Sequence, residues 1–208
     1  MGATAVHRLQ ARSLIDRIID LALKKVRDVQ QPIKLEDVIK KFRKKILLLP
    51  PIDAEIILYN GNLTGIDTIK RCSDAEYHFH QMKVDVNSSF QFDMLNFSYD
   101  FQAGIFKVQS NGIMKGNISQ LVTDVGLLID LTKRTIELTR LKLVKAKTLK
   151  IQVDSREYSD KFINYFLRLI TSNFKSIVLS QMEKELQSLL GKTIHINFNN
   201  GMVADGAQ

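Results

Sequence analysis

The chain has 208 residues, 45 % of them hydrophobic, with 11 Phe and no Trp, which is enough apolar matter for one substantial core. Cys72 is the only cysteine, which excludes a disulfide framework and a cysteine-built metal centre. The longest apolar run, Ile46–Pro51, falls far short of the length a bilayer-crossing helix needs, so an integral membrane protein is excluded as well.

Met1–Ala5 lacks the apolar run of a leader, and the sequence reads as a mature form with an added initiator Met. Leu14, Ile15, Ile18, Ile19, Ala22, Val26 and Val29 then recur at helical spacing, with Arg12, Arg17, Lys24, Lys25 and Asp28 between them. This predicts an amphipathic helix over about 5–30, ended by Gln31-Pro32. Residues 33–51 read as a basic connector with a short helix at Glu36–Lys44, closed by Pro50-Pro51.

Residues 53–153 read as antiparallel strands. Ala54–Leu58 precedes Asn60-Gly61, a turn signal. Tyr77 and Phe79 alternate with His78 and His80, and Phe90, Phe92 and Met94 with Gln91 and Asp93. Phe97, Tyr99 and Phe101 form another set, followed by Ile105–Val108, Ile113–Ile118 and Ile136–Val144. Period-2 alternation broken by Ser, Asn and Gly means strands with one wet face, and long strands in a meander twist into a rolled sheet.

The last zone is helical again. Phe162, Phe166, Leu169, Ile170, Phe174, Ile177, Val178, Leu186, Leu189 and Leu190 mark one apolar stripe over about 158–190. Ser159 or Asp160 can cap its start, and Gly191 is placed to end it. Such a helix would be about 50 Å long, so the molecule should be elongated, with the sheet wrapped along it. The fold class is therefore α+β: a curved antiparallel sheet rolled around a long C-terminal amphipathic helix, with a second long helix at the N-terminus. One domain is expected over 1–200, with 201–208 a disordered tail.

Charge is uneven. Residues 1–50 carry twelve Lys/Arg against five Asp/Glu and residues 133–150 seven against Glu137 alone, leaving the remainder at −5 of the +8 total. Lys40, Lys41, Arg43, Lys44 and Lys45 form one basic cluster, and Lys142, Lys145 and Lys147, within Lys142–Lys150, a second. Both suit an anionic membrane or glycolipid surface, or simply a solvated face. No helix-turn-helix, RNA-recognition or zinc signature accompanies them, so nucleic acid is not expected as a partner.

Sequons stand at Asn62, Asn87, Asn96 and Asn117, more than chance supplies, and point to a secreted glycoprotein. No phosphate-cradling loop and no nucleophile elbow is present. His78 and His80 share a strand face, with Asp74 and Glu76 as loose further ligands, but a structural or surface role outweighs a metal, and none is expected. Cys72 beside Arg71 could have a lowered pKa, though packing is the commoner role of a lone cysteine. No enzyme activity and no cofactor is expected.

A sheet rolled on one helix leaves a long seam that side chains fill with difficulty and that a tail-like ligand can occupy. Ile56, Leu58, Phe79, Phe90 and Phe92 from the sheet, with Phe162, Phe166, Ile170 and Phe174 from the helix, are the expected lining. Period 2 leaves open which strand face points inward, because Phe occurs on both.

The stretch Ile56-Ile-Leu-Tyr-Asn-Gly61-Asn-Leu63-Thr-Gly65-Ile66-Asp-Thr-Ile69-Lys-Arg71-Cys-Ser-Asp74-Ala75 resembles the strand–glycine–strand signature of the mite group-seven allergens and their insect relatives. Cys72-Ser73 departs from the apolar residue and Gly more usual there. The resemblance, over about 5–192, implies a rolled sheet like one half of the bactericidal/permeability-increasing protein, in the tubular lipid-binding superfamily. It implies a secreted, non-enzymatic arthropod protein that holds a fatty acid, phospholipid, isoprenoid or bacterial lipid. The takeout and juvenile-hormone-binding branch carries an N-terminal cysteine pair that this chain lacks. The alternative is a closed-core module that binds a protein partner or an anionic membrane. Oligomeric state is left open.

Overall fold

The structure, a computed structural model, describes residues 3–44, 52–105, 108–155, 178–194 and 196–197. Helix α1 spans Ala3–Arg27 and ends before the expected residue 30. Of the second long helix expected at the N-terminus, the stretch whose side chains are described is short, with a buried face from Ile15 through Ile18, Ile19, Ala22 and Leu23 to Val26. That spacing puts all six on one face, while Arg17, Asp20, Lys24 and Lys25 face water. Lys24, Lys25 and Arg27 fall in the last turn, where positive charge complements the helix dipole. Beyond its end the Gln31 side-chain amide donates to Asp67 at 2.7 Å and accepts from the Gly65 N–H at 2.6 Å, which ties the chain after α1 to residues 65–67.

Strands β1 (Ile33–Leu35) and β2 (Val38–Lys44) both pair antiparallel with β3 (Ile52–Thr64). The short helix expected at Glu36–Lys44 is thus a strand. Val38, Ile39 and Phe42 are strand formers, and an open edge of β3 satisfies their backbone groups. Nor is Asn60-Gly61 a turn. Asn60 takes φ 54°, the register with β6 slips between Tyr59 and Asn62, and β3 continues through a bulge.

A 3-10 turn (Ile66–Thr68) leads into β4 (Ile69–Arg71) and β5 (Glu76–His80). Strands β6 (Lys83–Ile105) and β7 (Val108–Asp130) have 23 residues each and pair along their whole length. The expected strand at Ile105–Val108 is where the chain reverses, since these two residues pair with each other. Strands β8 (Thr135–Lys145) and β9 (Thr148–Ser155) pair with successive halves of β7, and β10 (Ile196–Asn197) pairs with β8. Among the described residues these make one ten-stranded antiparallel sheet.

A second helix, α2, is described over residues 178–194. It continues through Gly191, which was expected to end it, as far as Ile194, whose side chain is buried. Burying Ile194 one turn beyond Gly191 offsets the roughly 1 kcal/mol that a helical glycine costs. The expected start near 158, and the tail at 201–208, lie outside the described residues.

Both helices share one core with one face of the sheet. Which residues face that core changes along the strands. In β6, Val84, Val86, Phe90 and Phe92 are buried, then Leu95, Phe97, Tyr99, Phe101 and Ala103. The inward set passes from even to odd numbers at Asp93–Met94, both exposed. β7 changes in the opposite sense at Gln120, where φ is 47°: Met114 and Ile118 are buried before it, and Leu121, Thr123, Val125, Leu127 and Ile129 after it. The pairing register is the same on both sides of this point, so the two strands kink together. This is why Phe falls on both parities in the sequence yet on one face in the fold.

Candidate functional site

Three elements meet over an apolar slot. Helix α1 contributes Ile19, Ala22, Leu23 and Val26, spaced i, i+3, i+4 and i+7 along one face. The sheet contributes Ile69, Phe90, Val125 and Leu127, and α2 contributes Leu190 and Ile194. Among the described residues every lining side chain is a hydrocarbon. The free volume is about 20 Å³, room for about one water molecule. The slot has no room for an acyl chain as it stands.

Polar ties hold α1 down at both ends of this stretch. Asp16 Oδ1 accepts from Arg71 Nη1 at 2.7 Å and from the Tyr77 hydroxyl at 3.0 Å. Partial burial acts to lower the Arg71 pKa, but the Asp16 carboxylate outweighs it and holds the guanidinium above its usual range. Burial, then Asp16, push the Tyr77 phenol up, so it stays a donor. At the other end, Arg27 Nε and Nη2 both donate to the Ile69 carbonyl, at 3.1 and 2.9 Å. Helix α2 has its own tie: Lys184 Nζ lies 2.5 Å from Glu36 Oε2, between β1 and β2. Glu183 accepts from the Leu143 N–H at 3.0 Å, fixing α2 on β8.

Of the expected lining, Phe90 lines the slot, and Ile56, Leu58 and Phe92 are buried in the same core. Phe79 is not part of the slot. It is 54 % exposed, because β5 ends at His80 and leaves it beside the Gln81–Met82 turn. Phe162, Phe166, Ile170 and Phe174 lie outside the described residues. The α1 residues were not in the expected lining, although their i, i+3, i+4, i+7 spacing marked the face. Nothing in strand periodicity singled out Ile69, Val125 or Leu127.

The basic residues divide. Lys40 pairs opposite buried Ile56 and so shares the inner face at the open edge of β2. Lys41 and Arg43 project from the other face, and Lys41 is 3.4 Å from Glu55. An inward charge on an edge strand discourages pairing with another sheet. Lys44 ends β2, and Lys45 lies outside the described residues. Lys142, Lys145 and Lys147 are all exposed, along β8 and its connection to β9. All four sequon asparagines sit on strands: Asn62, Asn87 and Asn117 half-buried, Asn96 exposed.

His78 and His80 are exposed on β5, and no group of three metal-ligating side chains occurs among the described residues. The lowered thiol pKa considered for Cys72 does not arise. Burial and the charge of Asp124 raise it, and Arg71 is turned toward Asp16. Among the described residues no helix is long and apolar enough to cross a membrane.

The glycine-rich corner at 60–71 carries the local geometry of the site, and the sequence profile of the Group 7 allergens matches residues 10–194. The chain belongs to the Group 7 allergen family. No curated protein sequence matches this family member closely enough to count as a relative. Among solved structures it is similar to lipopolysaccharide binding protein, at 12 % identity and a TM-score of 0.49, over 84 % of this chain and 35 % of that one. The chain thus spans about a third of that protein's length. It is also similar to Takeout 1 of Epiphyas postvittana, at 12 % identity and a TM-score of 0.46, over 81 % of this chain and 78 % of that one.

Proposed function

We propose that this Group 7 allergen binds a hydrophobic ligand between α1, α2 and the sheet, and that α1 lifts to admit it. The observation that carries the reading is the slot itself: a junction of three elements whose described lining is all hydrocarbon, tied down by a few polar contacts at the ends of α1. Each methylene moved from water into such a seam contributes about 0.8 kcal/mol, so a fatty acid, phospholipid tail, isoprenoid or bacterial lipid needs no directed hydrogen bond. In this reading the protein is a secreted, non-enzymatic binding protein. Lys142, Lys145 and Lys147 meet the anionic headgroup side of the lipid source.

A second reading rests on the small free volume. If the slot never opens, the protein is a closed-core module that meets a protein or an anionic membrane through its basic residues. Native mass spectrometry after incubation with a mixed lipid extract separates the two. A stoichiometric lipid adduct supports the carrier. A bare mass, together with pelleting on anionic but not neutral vesicles, supports the closed module.

A further inference from the structure

On the face of the sheet opposite the helices, β6, β7 and β9 form a second cleft, of about 370 Å³, far larger than the slot. Two adjacent rungs of the ladder line it. One runs Asn96–Asn117–Lys150 and the other Ser98–Lys115–Gln152. At usual strand spacings this is a patch of about 10 by 7 Å. It presents two ammonium groups, three carboxamides and one hydroxyl. Neither Lys115 nor Lys150 is in a salt bridge among the described residues. The nearest carboxylates on that face, Asp100 and Asp154, lie one rung further along, and Asp100 accepts from Asn60 at 2.8 Å.

A row of hydrogen-bonding amides beside two cations without carboxylate partners matches a ligand that is both hydroxylated and anionic. Carboxamides both donate to and accept from sugar hydroxyls, and ammonium groups make charge-assisted bonds to phosphate oxygens. The volume falls in the range of small-molecule sites, and the patch is as wide as one or two pyranose rings. We propose that this outer cleft is a binding site for a phosphorylated sugar, with Lys115 and Lys150 on the phosphate and Asn96, Asn117 and Gln152 on the ring hydroxyls. The site is independent of the apolar slot. Phe90 of the slot and Asn96 of the cleft are six residues apart on β6, on either side of the kink at Asp93–Met94, and the two sites lie on opposite faces. The cleft opens to solvent, so the sugar phosphate could be free or the end of a larger glycoconjugate.

The test is calorimetric titration of the full chain, produced without N-glycans so that Asn96 and Asn117 are bare, with glucose 6-phosphate, glucose and inorganic phosphate. Glucose 6-phosphate is expected to bind more tightly than either fragment. Lys115→Gln and Lys150→Gln should each weaken it about tenfold, the loss of one charge-assisted bond. Both are exposed positions, and circular dichroism verifies that the variants fold. A phosphorylated oligosaccharide that binds tighter than glucose 6-phosphate assigns the site to a glycoconjugate, and equal affinity assigns it to the free sugar. Absence of glucose 6-phosphate binding at millimolar concentration, or binding unchanged in both lysine variants, overturns the proposal whatever becomes of the apolar slot.

Discussion

Thr68 Oγ1 accepts from the backbone N–H of Asp93 at 3.2 Å, and from that of Met94 at 3.4 Å. It does so where the inward face of β6 changes parity, so that the kink hands two N–H groups to a side chain instead of a strand. The same hydroxyl donates to the Gly65 carbonyl at 2.6 Å, which locks the 3-10 corner against the kink. Thr68→Val keeps the shape and removes the oxygen. It should cost about 1 kcal/mol, since these bonds are exposed and water can partly replace them. Thr68→Ser keeps the oxygen and should stay close to the parent. Urea denaturation of the pair measures the difference, and equal midpoints would remove Thr68 from the account of the kink.

Gly65 is the other half of that corner. Its φ is 91°, and a Cβ there would sit 2.0 Å from the Met94 carbonyl oxygen. Gly65→Ala therefore adds left-handed strain of about 1–2 kcal/mol to a collision with backbone that has no rotamer to yield. The expected total loss is above about 2 kcal/mol, read from thermal or chemical unfolding.

Ligand access should depend on Asp16. Asp16→Ala removes the acceptor shared by Arg71 and Tyr77 while leaving the slot lining intact. If α1 is the lid, hydrogen exchange in residues 15–27 rises and an apolar fluorescent probe enters faster. Faster exchange with unchanged probe entry would place the door elsewhere.

Filling the slot should close it. Ala22 is the smallest lining residue, and Ala22→Leu adds about three methylene-sized groups to a space of about 20 Å³. Probe uptake should fall several-fold at a stability cost of about 1–3 kcal/mol. An unchanged uptake would show that ligand is held away from the α1 face.

Acid should weaken the fold partly through Asp130. Its Oδ1 accepts from the Lys133 and Thr132 N–H groups, at 2.9 and 3.0 Å, and these bonds hold its pKa below the usual carboxylate range. Stability from this group is therefore present at neutral pH and is lost as pH falls through the lowered value, below about pH 4. Glu36, lowered by its hydrogen bond and charge contact with Lys184, acts in the same direction. Asp130→Asn retains an acceptor oxygen but cannot titrate, so its stability should decline less steeply between pH 5 and 2 than the parent's. Parallel curves would dismiss the contribution.

Much of the fold was legible. The i, i+3, i+4 spacing of Ile15, Ile18, Ile19 and Ala22 marked a buried helix face, and alternation in 83–130 marked long strands with one wet side. The signature at 56–75 marked the family. What misled was local chemistry overruled by neighbours. Asn60-Gly61 has the composition of a turn, but β6 runs past both sides of it and holds the chain extended through a bulge. Glu36–Lys44 has charges at helical spacing, but the edge of β3 offers its backbone a ladder.

By itself the sequence determined the apolar face of α1, the long antiparallel strands of 83–130 and the family, because these depend on residue spacing and on a short glycine motif. Tertiary structure alone decided the slot and the outer cleft. Slot residues as distant as Ile19, Ile69, Val125 and Leu190 become neighbours only when both helices pack on the face that β4, β6 and β7 build together. A period-2 pattern fixes which residues alternate, but where the parity switches is set by long-range contacts such as that of Thr68 with Asp93, which no local spacing encodes.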